Sequence, residues 1–290
     1  MTDYVLNINK PEGFTSHDVV ALLRGILKTR RIGHCGTLDP MATGVLPVCV
    51  GKATKASEFI MGFDKEYIAG LRLGFTSDTQ DATGNITKTG APLPSEEDVR
   101  RALLKFTGEQ EQTPPMYSAI KIGGQKLYTL ARQGVEVERK RRVITIKYID
   151  MLSADEENGE YTLRIGCSKG TYIRTLCHDI GADLGAGALM ASLVRTRTGA
   201  FTLERSVTLS EVEAGKLSGG QYSLSDVFSG YPAISADEKS EALIRNGVRL
   251  SAERFSAREG ETYAVYGKEG GLLCLSLAQD GVLKMIRGFY

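Results

Sequence analysis

The sequence predicts an α+β fold, in which a large domain built on a mixed, largely antiparallel sheet is followed by a small β-rich domain. Several segments alternate apolar and polar residues, as strands with one buried face do, and amphipathic helices lie between them. The 290 residues are 42% hydrophobic, which is enough to fill a sizeable core. The composition changes near residue 230, where SGYPAIS supplies glycine and proline.

The first part of the chain predicts a strand, a turn and a helix. VLNIN is short and alternates, and KPEG follows it as a turn. Ser16 is predicted to cap the helix, because a serine oxygen accepts hydrogen bonds from the free N–H groups of a first helical turn. The buried face would carry the apolar residues at helical spacing, which are Val19, Val20, Leu23, Ile26 and Leu27.

The middle of the chain predicts further strands and two helices. KEYIAGLRLGF alternates as a strand, and SEEDVRRALLKFTG is a helix with Ser95 as N-cap and Gly108 as stop. RVITIKYIDML and YTLRIGCS are predicted to pair across the polar turn SADEENGE. Another helix begins near Tyr172.

The end of the chain predicts a small domain of its own. A short helix, EKSEALIRNG, precedes two predicted hairpins around GKEGG and AQDG. This rhythm of strands and turns is typical of a compact barrel-like unit. We therefore expect a catalytic or binding domain over residues 1–230 and a second domain over 232–290.

The charge distribution limits what can be said about nucleic-acid partners. The net charge is +1, so the overall field indicates none, and a nucleic acid would have to be held by local basic clusters. Any one cluster taken alone is equally consistent with a solvated face. Three occur: Lys28 with Arg30 and Arg31, residues 139–142, and Arg195 with Arg197.

The cysteines and the N-terminus bear on location. The five cysteines are scattered, without a Cys-x-x-Cys pair or a histidine spacing that would hold zinc, and are typical of a reducing compartment. The N-terminus has no basic region followed by an apolar one, and no segment is long enough to span a bilayer. We therefore expect a cytoplasmic protein.

One loop carries a single acid in an apolar setting. In GHCGTLDPMATGVLPVCVGKATK, Asp39 is the only charged side chain between His34 and Lys52, and an apolar run follows it. An aspartate here either caps a turn through a neighbouring N–H group or performs chemistry at the mouth of an apolar pocket. The loop alone leaves both hypotheses open.

A second segment, CSKGTYIRTL, supplies a partner for this aspartate. Arg174 lies in a helix whose other residues are largely apolar, and a buried cation without a counter-charge is strongly destabilising. The Asp39 carboxylate is its obvious partner. A carboxylate held by an arginine stays ionised and oriented, which suits a nucleophile or an electrostatic stabiliser and does not suit a general acid.

Four motifs together occur in an order typical of one enzyme family. They are NKPEGFTSHDVV, the Asp39 loop, DKEYIAGLRLGFTSDTQDATG and CSKGTYIRTLCHDIG, which cover most of residues 7–200. They resemble the bacterial tRNA pseudouridine-55 synthase family, often called TruB. Residues 232–290 resemble the small RNA-binding PUA domain that often ends these chains, on rhythm more than on signature residues. The resemblance implies a catalytic domain of pseudouridine-synthase type with a PUA domain after it.

The resemblance implies a role for each matching residue. Asp39 would be the catalytic aspartate, with Arg174 paired to it and Tyr67 against the target base. His34 would hold the RNA loop once the base has left its stack. Thr196 stands where relatives often have arginine, which weakens any claim that it binds phosphate. The other residues of the substrate pocket would be Tyr172, Leu193, Lys10 and Pro11.

The resemblance also implies the reaction and the partner. Uracil of uridine 55 in the tRNA T-loop would leave through N1 and return through C5, so no cofactor, nucleotide or metal is expected. Tyr67 is a candidate for the C5 base, although a pKa near 10 makes it a poor one. We expect a monomer that binds the T-stem-loop of tRNA.

The resemblance to the family also implies a mobile insertion. Residues 113–142 resemble the family's loop that closes over the RNA, and their composition suits ordering on binding. Several basic residues would contact phosphates. They are Lys121, Lys126, Arg132, Arg139, Arg141 and Arg142.

Two other functions remain open. A non-catalytic module that binds RNA and assists tRNA folding would use the same surface, and both activities can coexist in one protein. A hydrolase with an aspartyl intermediate would need a metal site, and no second acidic cluster near TLDP supplies one. The GxGxxG, GxxxxGK[ST], HExxH and GxSxG signatures are also absent. Intact Asp39 and Arg174 favour the RNA isomerase.

Overall fold

The computed structural model describes residues 3–118 and 120–290. Within these residues, two short 3₁₀ segments, Gly51–Ala56 and Glu253–Phe255, accompany eight α-helices. The helices are α1 (Ser16–Ile26), α2 (Ser57–Met61), α3 (Glu96–Lys105), α4 (Leu127–Arg132), α5 (Ile173–Asp183), α6 (Leu209–Glu213), α7 (Leu224–Val227) and α8 (Glu238–Arg245).

Nineteen strands occur in the same residues. They are β1 (Tyr4–Lys10), β2 (Ile32–His34), β3 (Thr43–Val50), β4 (Lys65–Leu73), β5 (Phe75–Ser77), β6 (Ile86–Lys88), β7 (Gly108–Gln112), β8 (Lys121–Ile122), β9 (Gln125–Lys126), β10 (Arg142–Asp155), β11 (Glu160–Cys167), β12 (Ala188–Thr198), β13 (Phe201–Thr202), β14 (Gln221–Tyr222), β15 (Ala233–Ser235), β16 (Leu250–Ser251), β17 (Thr262–Tyr266), β18 (Leu272–Gln279) and β19 (Val282–Gly288).

Ten strands form one mixed sheet, which confirms the α+β prediction. Its order is β14–β1–β3–β12–β4–β11–β10–β7, with β2 beside β3 and β13 beside β12. Every pair is antiparallel except β3 with β12. β3 is buried along nearly its whole length, as expected of a strand covered on both faces, whereas β4 alternates between buried and half-buried residues.

Helices cover the two faces of this sheet. α3 and α5 pack their apolar residues against β4, β11 and β12 in one core cluster. α1 packs against β1 and β3 in a second cluster, through Val19, Val20 and Leu23, as the helical spacing predicts. The loop that carries Asp39 lies between β2 and β3, and β3, which lies between β1 and β12 in the sheet, begins directly after it.

Three local predictions need correction. The N-cap of α1 is Thr15 and not Ser16, because Thr15 and Asp18 form a reciprocal capping box. α3 ends at Lys105, and Gly108 begins β7 instead of stopping the helix. β10 extends to Asp155, so the turn before β11 is shorter than the polar segment suggests. The other predicted strands and helices occur where expected.

A second sheet occupies the end of the chain. Its order is β15–β17–β18–β19–β16, and β17, β18 and β19 are joined by the two predicted hairpins. This sheet and α8 share a core of their own. Another cluster joins it to the large sheet, because Phe289 and Leu275 pack with Val5, Val45 and other residues there.

The predicted insertion contains regular structure. Between residues 113 and 142 the chain forms the β8–β9 hairpin and the short helix α4, with Leu127 buried. As for the membrane, none of the helices in the described ranges is both long and apolar enough to cross one.

Candidate active site

Asp39 lies on a loop that two parts of the chain, β1 and α1, hold in place. Ser16, on the first turn of α1, accepts a hydrogen bond from the Leu38 N–H at 2.9 Å and donates to the Leu38 carbonyl at 3.2 Å. The Lys10 ammonium donates to the Pro40 carbonyl at 3.3 Å. The loop is therefore fixed on both sides of Asp39, whose side chain is 35% exposed.

Arg174 contacts Asp39 from the first turn of α5. Its Nη2 lies 3.2 Å from Oδ2 of Asp39, and the arginine side chain is only 7% exposed. Nη2 also donates to the Tyr117 carbonyl at 2.6 Å. This is the partnership expected from the sequence, and a guanidinium at this distance orients the carboxylate.

Asp81 is a member of the site that the sequence reasoning missed. Its Oδ2 lies 3.3 Å from Nη1 of Arg174, and the residue is 2% exposed. Its other oxygen accepts hydrogen bonds from the Thr79 hydroxyl and from the N–H and hydroxyl of Thr83. Arg174 is therefore shared between two carboxylates. The available signal was the position of Asp81 within the DTQDATG motif.

The charge state of Asp39 follows from this arrangement. Burial raises the pKa of Asp39, and the Arg174 guanidinium opposes the rise; the Asp81 carboxylate adds to the rise and Lys10 opposes it. The expectation that Arg174 simply keeps Asp39 ionised was incomplete, because it omitted burial and Asp81. Asp39 is a carboxylate whose proton affinity burial has increased, with Arg174 and Lys10 opposing that increase.

Lys10 lies beneath the loop and does not line an open pocket. It is 0% exposed, and its ammonium donates to the carbonyls of Pro11 and Phe14 as well as Pro40. Burial lowers the pKa of Lys10 to about 8, with Asp39 opposing that change. In this structure the predicted pocket residue Lys10 contacts the backbone around Asp39, and Pro11 beside it is half-buried.

Tyr67 and Leu193, the predicted apolar pocket residues, are both buried. Each is 8% exposed, and both belong to the core cluster that contains Leu38 and Ala42 of the Asp39 loop. Burial raises the pKa of Tyr67, while the charge of Arg195 works in the opposite direction. A higher pKa leaves less phenolate near neutral pH, so Tyr67 is less available as a base than an ordinary tyrosine.

Tyr172 is half-buried at the start of α5. Its N–H donates to the Gln112 side-chain oxygen at 2.8 Å, and the Gln112 amide donates to its carbonyl at 3.0 Å. Gln112 is thus a second residue that the sequence reasoning missed, and it anchors the segment that brings Arg174 to Asp39.

His34 lies at the end of β2, half-buried, with Nδ1 3.0 Å from the Gly36 carbonyl. A carbonyl can only accept, so Nδ1 carries the proton and Nε2 is the acceptor in the neutral ring. Burial lowers the pKa of His34. The ring is therefore largely neutral at pH 7, and it has an acceptor nitrogen to offer.

The predicted RNA-binding cations differ in their surroundings. Lys121, Lys126 and Arg132 are exposed on the insertion, and Lys126 and Arg132 lie over the Tyr128 ring. Arg139 pairs with Glu136 at 3.1 Å, and Arg141 with Glu111 at 3.4 Å. Arg142 is exposed at the start of β10. Away from the insertion, the Thr196 hydroxyl donates to Glu66 at 2.7 Å.

Comparison with known proteins shows the family of this chain. Residues 24–173 match the N-terminal domain of the TruB family pseudouridylate synthases, and residues 174–225 match the tRNA pseudouridylate synthase B C-terminal domain. The tRNA pseudouridine synthase B of Clostridium acetobutylicum is 44% identical over 287 residues, which cover 98% of this chain and 99% of the relative. The Clostridium kluyveri protein of the same name is 41% identical over 289 residues, 99% of each chain.

A solved structure shows the same fold. A chain of a Cbf5-Nop10-Gar1 complex superimposes with a TM-score of 0.79 at 27% identity, covering 99% of this chain and 85% of that one. A chain from an H/ACA RNP bound to a substrate RNA containing 2′-deoxyuridine superimposes with a TM-score of 0.76 at 25% identity, covering 99% of this chain. On the family matches and the full-length relatives together, the chain belongs to the TruB family of pseudouridylate synthases.

Proposed function

We propose that this protein isomerises uridine 55 in the T-loop of tRNA to pseudouridine, with Asp39 as the catalytic aspartate. The observation that carries the proposal is the Asp39 carboxylate, held 3.2 Å from a buried Arg174 on a loop whose Leu38 and Ala42 belong to the apolar core. Membership of the family and relatives named tRNA pseudouridine synthase B support it.

The main requirements of the reaction are a carboxylate positioned at the uridine and a closed pocket. Uracil is detached from C1′ through N1, turned, and joined again through C5, with loss of the C5 proton and no redox change. Asp39 acts by addition to C6, by attack at C1′ or by removal of a sugar proton. In each case it must be ionised, and Arg174 stabilises that form.

The pocket holds the base while it is unattached. A uridine in a folded loop must leave its stack to reach Asp39, which costs about a few kcal/mol. Tyr67 and Leu193 then offer apolar surface to the uracil faces, and Tyr172 closes the side nearest Arg174. His34, with Nε2 free to accept, braces the space that the base has left.

Binding of the rest of the tRNA is assigned to basic side chains of the insertion. Lys121, Lys126 and Arg132 are exposed and suited to phosphates. When tRNA binds, Arg139 would leave Glu136 and Arg141 would leave Glu111, and both would contact phosphates. We propose further that residues 232–290 act as a PUA-like second RNA-binding unit, and that one copy of the chain suffices for one T-stem-loop.

The test is release of tritium from a tRNA transcript labelled at C5 of its uridines, without added metal or nucleotide. We expect release of one equivalent per tRNA. A matched transcript with cytidine at position 55 controls for the site and should give none. Equal release from both transcripts would contradict the position, and no release by folded protein that binds tRNA would contradict the enzyme.

A further inference from the structure

Arg195, on β12, has surroundings that the Asp39–Arg174–Asp81 contacts do not explain. It is 1% exposed, and its side chain is the largest fully buried one in the described residues. Within residues 3–118 and 120–290 it forms no ion pair. The sequence, with Arg197 two positions further on, suggested a surface basic cluster. Arg195 does not belong to one, because it is buried. A buried cation without a counter-charge is destabilising unless hydrogen bonds compensate.

The guanidinium of Arg195 is bound by the two ends of the Asp39 loop. Nε donates to the Val45 carbonyl at 2.6 Å, and Nη1 lies 3.5 Å from the Thr37 carbonyl. Thr37 precedes Asp39 and Val45 follows it. One planar group with donors in a fixed arrangement thus spans the base of the loop.

The same charge acts on Tyr67, because it opposes the rise that burial causes in the pKa of that hydroxyl. Arg195 and Tyr67 are directly opposite each other on the antiparallel strands β12 and β4. The third nitrogen, Nη2, is buried without a hydrogen-bond partner in the described residues. On its other side β12 approaches β3 so closely that a Cβ on Gly44 would lie 2.3 Å from the Arg195 carbonyl oxygen. Arg195 therefore lies between the Asp39 loop and Tyr67.

We propose that Arg195 is a positioning residue, which fixes the Asp39 loop to β12 and holds Asp39 and Tyr67 in one arrangement around the target uracil. The catalytic part of this inference rests on the proposed function. The guanidinium is needed for its shape, because a single lysine ammonium reaches one loop carbonyl and cannot span both. Charge alone does not replace it.

Arg195→Lys tests this directly, since it keeps the buried charge and removes the span. We expect kcat for tritium release to fall on the order of 10²-fold, because a displacement of about 1 Å in a catalytic group has that effect. KM for tRNA should stay within about twofold of the unaltered value. Arg164→Lys is the control, because Arg164 is 49% exposed and forms a surface ion pair with Asp150 at 2.7 Å. It should keep the full rate.

Hydrogen exchange supplies a readout that does not depend on activity. Arg195→Lys should speed exchange of the amides in residues 35–44, and Arg164→Lys should not. Circular dichroism establishes that each variant is folded.

Two results would overturn the inference. A folded Arg195→Lys protein with unchanged loop exchange would show that the span is dispensable, and one with full kcat would show that positioning by Arg195 does not serve catalysis. Failure of the proposed function looks different, because the unaltered protein would then release no tritium. The exchange comparison would still decide whether Arg195 fixes the loop.

Discussion

At the scale of single residues, the reactivity of Asp39 depends on how the Arg174 guanidinium is shared between Asp39 and Asp81. Arg174 lies 3.2 Å from Asp39 and 3.3 Å from Asp81, and Asp81 is the more deeply buried of the two acids. Asp81 holds the guanidinium in place, yet its charge also makes Asp39 harder to ionise. Asp81 thus orients Arg174, but its negative charge offsets part of the lowering that Arg174 causes in the Asp39 pKa.

This balance predicts the pH dependence of the reaction. Burial raises the pKa of Asp39 from its ordinary value of 3.8, so activity should rise with pH through an acidic limb that lies above that value. Asp81→Asn removes a negative neighbour and should move the limb to lower pH. Lys10→Met removes a positive neighbour and should move it to higher pH. Tritium-release rates across pH measure all three, and shifts in the reverse directions would refute this electrostatic account.

Asp81→Asn should also lower the rate on the plateau above that limb. The amide keeps the shape of the side chain and weakens its hold on Nη1 of Arg174, so we expect kcat to fall by roughly 10- to 100-fold with tRNA binding retained. The control is Asp78→Asn in the same segment, because Asp78 is exposed and accepts hydrogen bonds from the backbone N–H and the side-chain amide of Asn85. Similar rates for both variants would argue against a role for Asp81.

At the scale of elements, the Asp39 loop is held where β3 and β12 run side by side. Gly44 has φ +98°, and a Cβ there would meet the Arg195 backbone oxygen at 2.3 Å. Gly44→Ala should therefore be destabilising by roughly 1–3 kcal/mol from overpacking, with further strain from the left-handed backbone. Thermal unfolding measures the loss, and tritium release should fall with it.

Gly25→Ala is the matched control for that substitution. Gly25 lies in α1, and nothing lies within 4 Å of where its Cβ would be. Alanine there should stabilise the protein by about 0.5–1 kcal/mol through helix propensity. If Gly44→Ala melted at or above the temperature of the unaltered protein, the close strand approach would not constrain the loop as described.

The elements themselves were largely predictable, and the contacts between them were not. Periodicity is local, so β1, β4, α3 and α5 could be predicted from their own residues. Ser16 was misassigned because two neighbouring hydroxyls both suited a cap, and only the fold shows that Ser16 bonds Leu38 while Thr15 caps the helix.

The site was predictable only where a motif or a charge argument reached it. Arg174 in an apolar helix requires a counter-charge, which pointed to Asp39. Asp81 and Arg195 join the site through the order β3–β12–β4 and the bridge between Asp81 and Met190, which hydrophobic patterns do not encode. A buried arginine and a surface arginine look alike in the sequence.

At the scale of the whole molecule, the C-terminal unit is packed against the large sheet. The Phe289 ring stacks on Phe228 with centroids 5.5 Å apart, and the Lys55 ammonium donates to the Tyr290 carbonyl at 3.1 Å. Arg287 and Glu58 add an exposed ion pair. The contact is largely apolar at its centre, so it should hold the two parts in a defined relation.

Phe289→Ala tests that docking. Phe289 is 5% exposed, and removing its ring should be destabilising by about 3–5 kcal/mol. Ile286→Ala is the control, because Ile286 is 43% exposed and should change stability by no more than about 0.5 kcal/mol. Thermal unfolding of both variants is the measurement. Equal melting temperatures would show that the packing of Phe289 contributes little.

The central claim, that the Asp39 carboxylate carries out the isomerisation, is tested most directly by Asp39→Asn. The substitution keeps the size of the side chain and removes its charge, so the protein should fold and bind tRNA as before. Release of tritium from tRNA labelled at C5 is the measurement, with filter binding of the same tRNA beside it. We expect binding within about twofold of the unaltered protein and no detectable release. Sustained release by the folded variant would contradict the account.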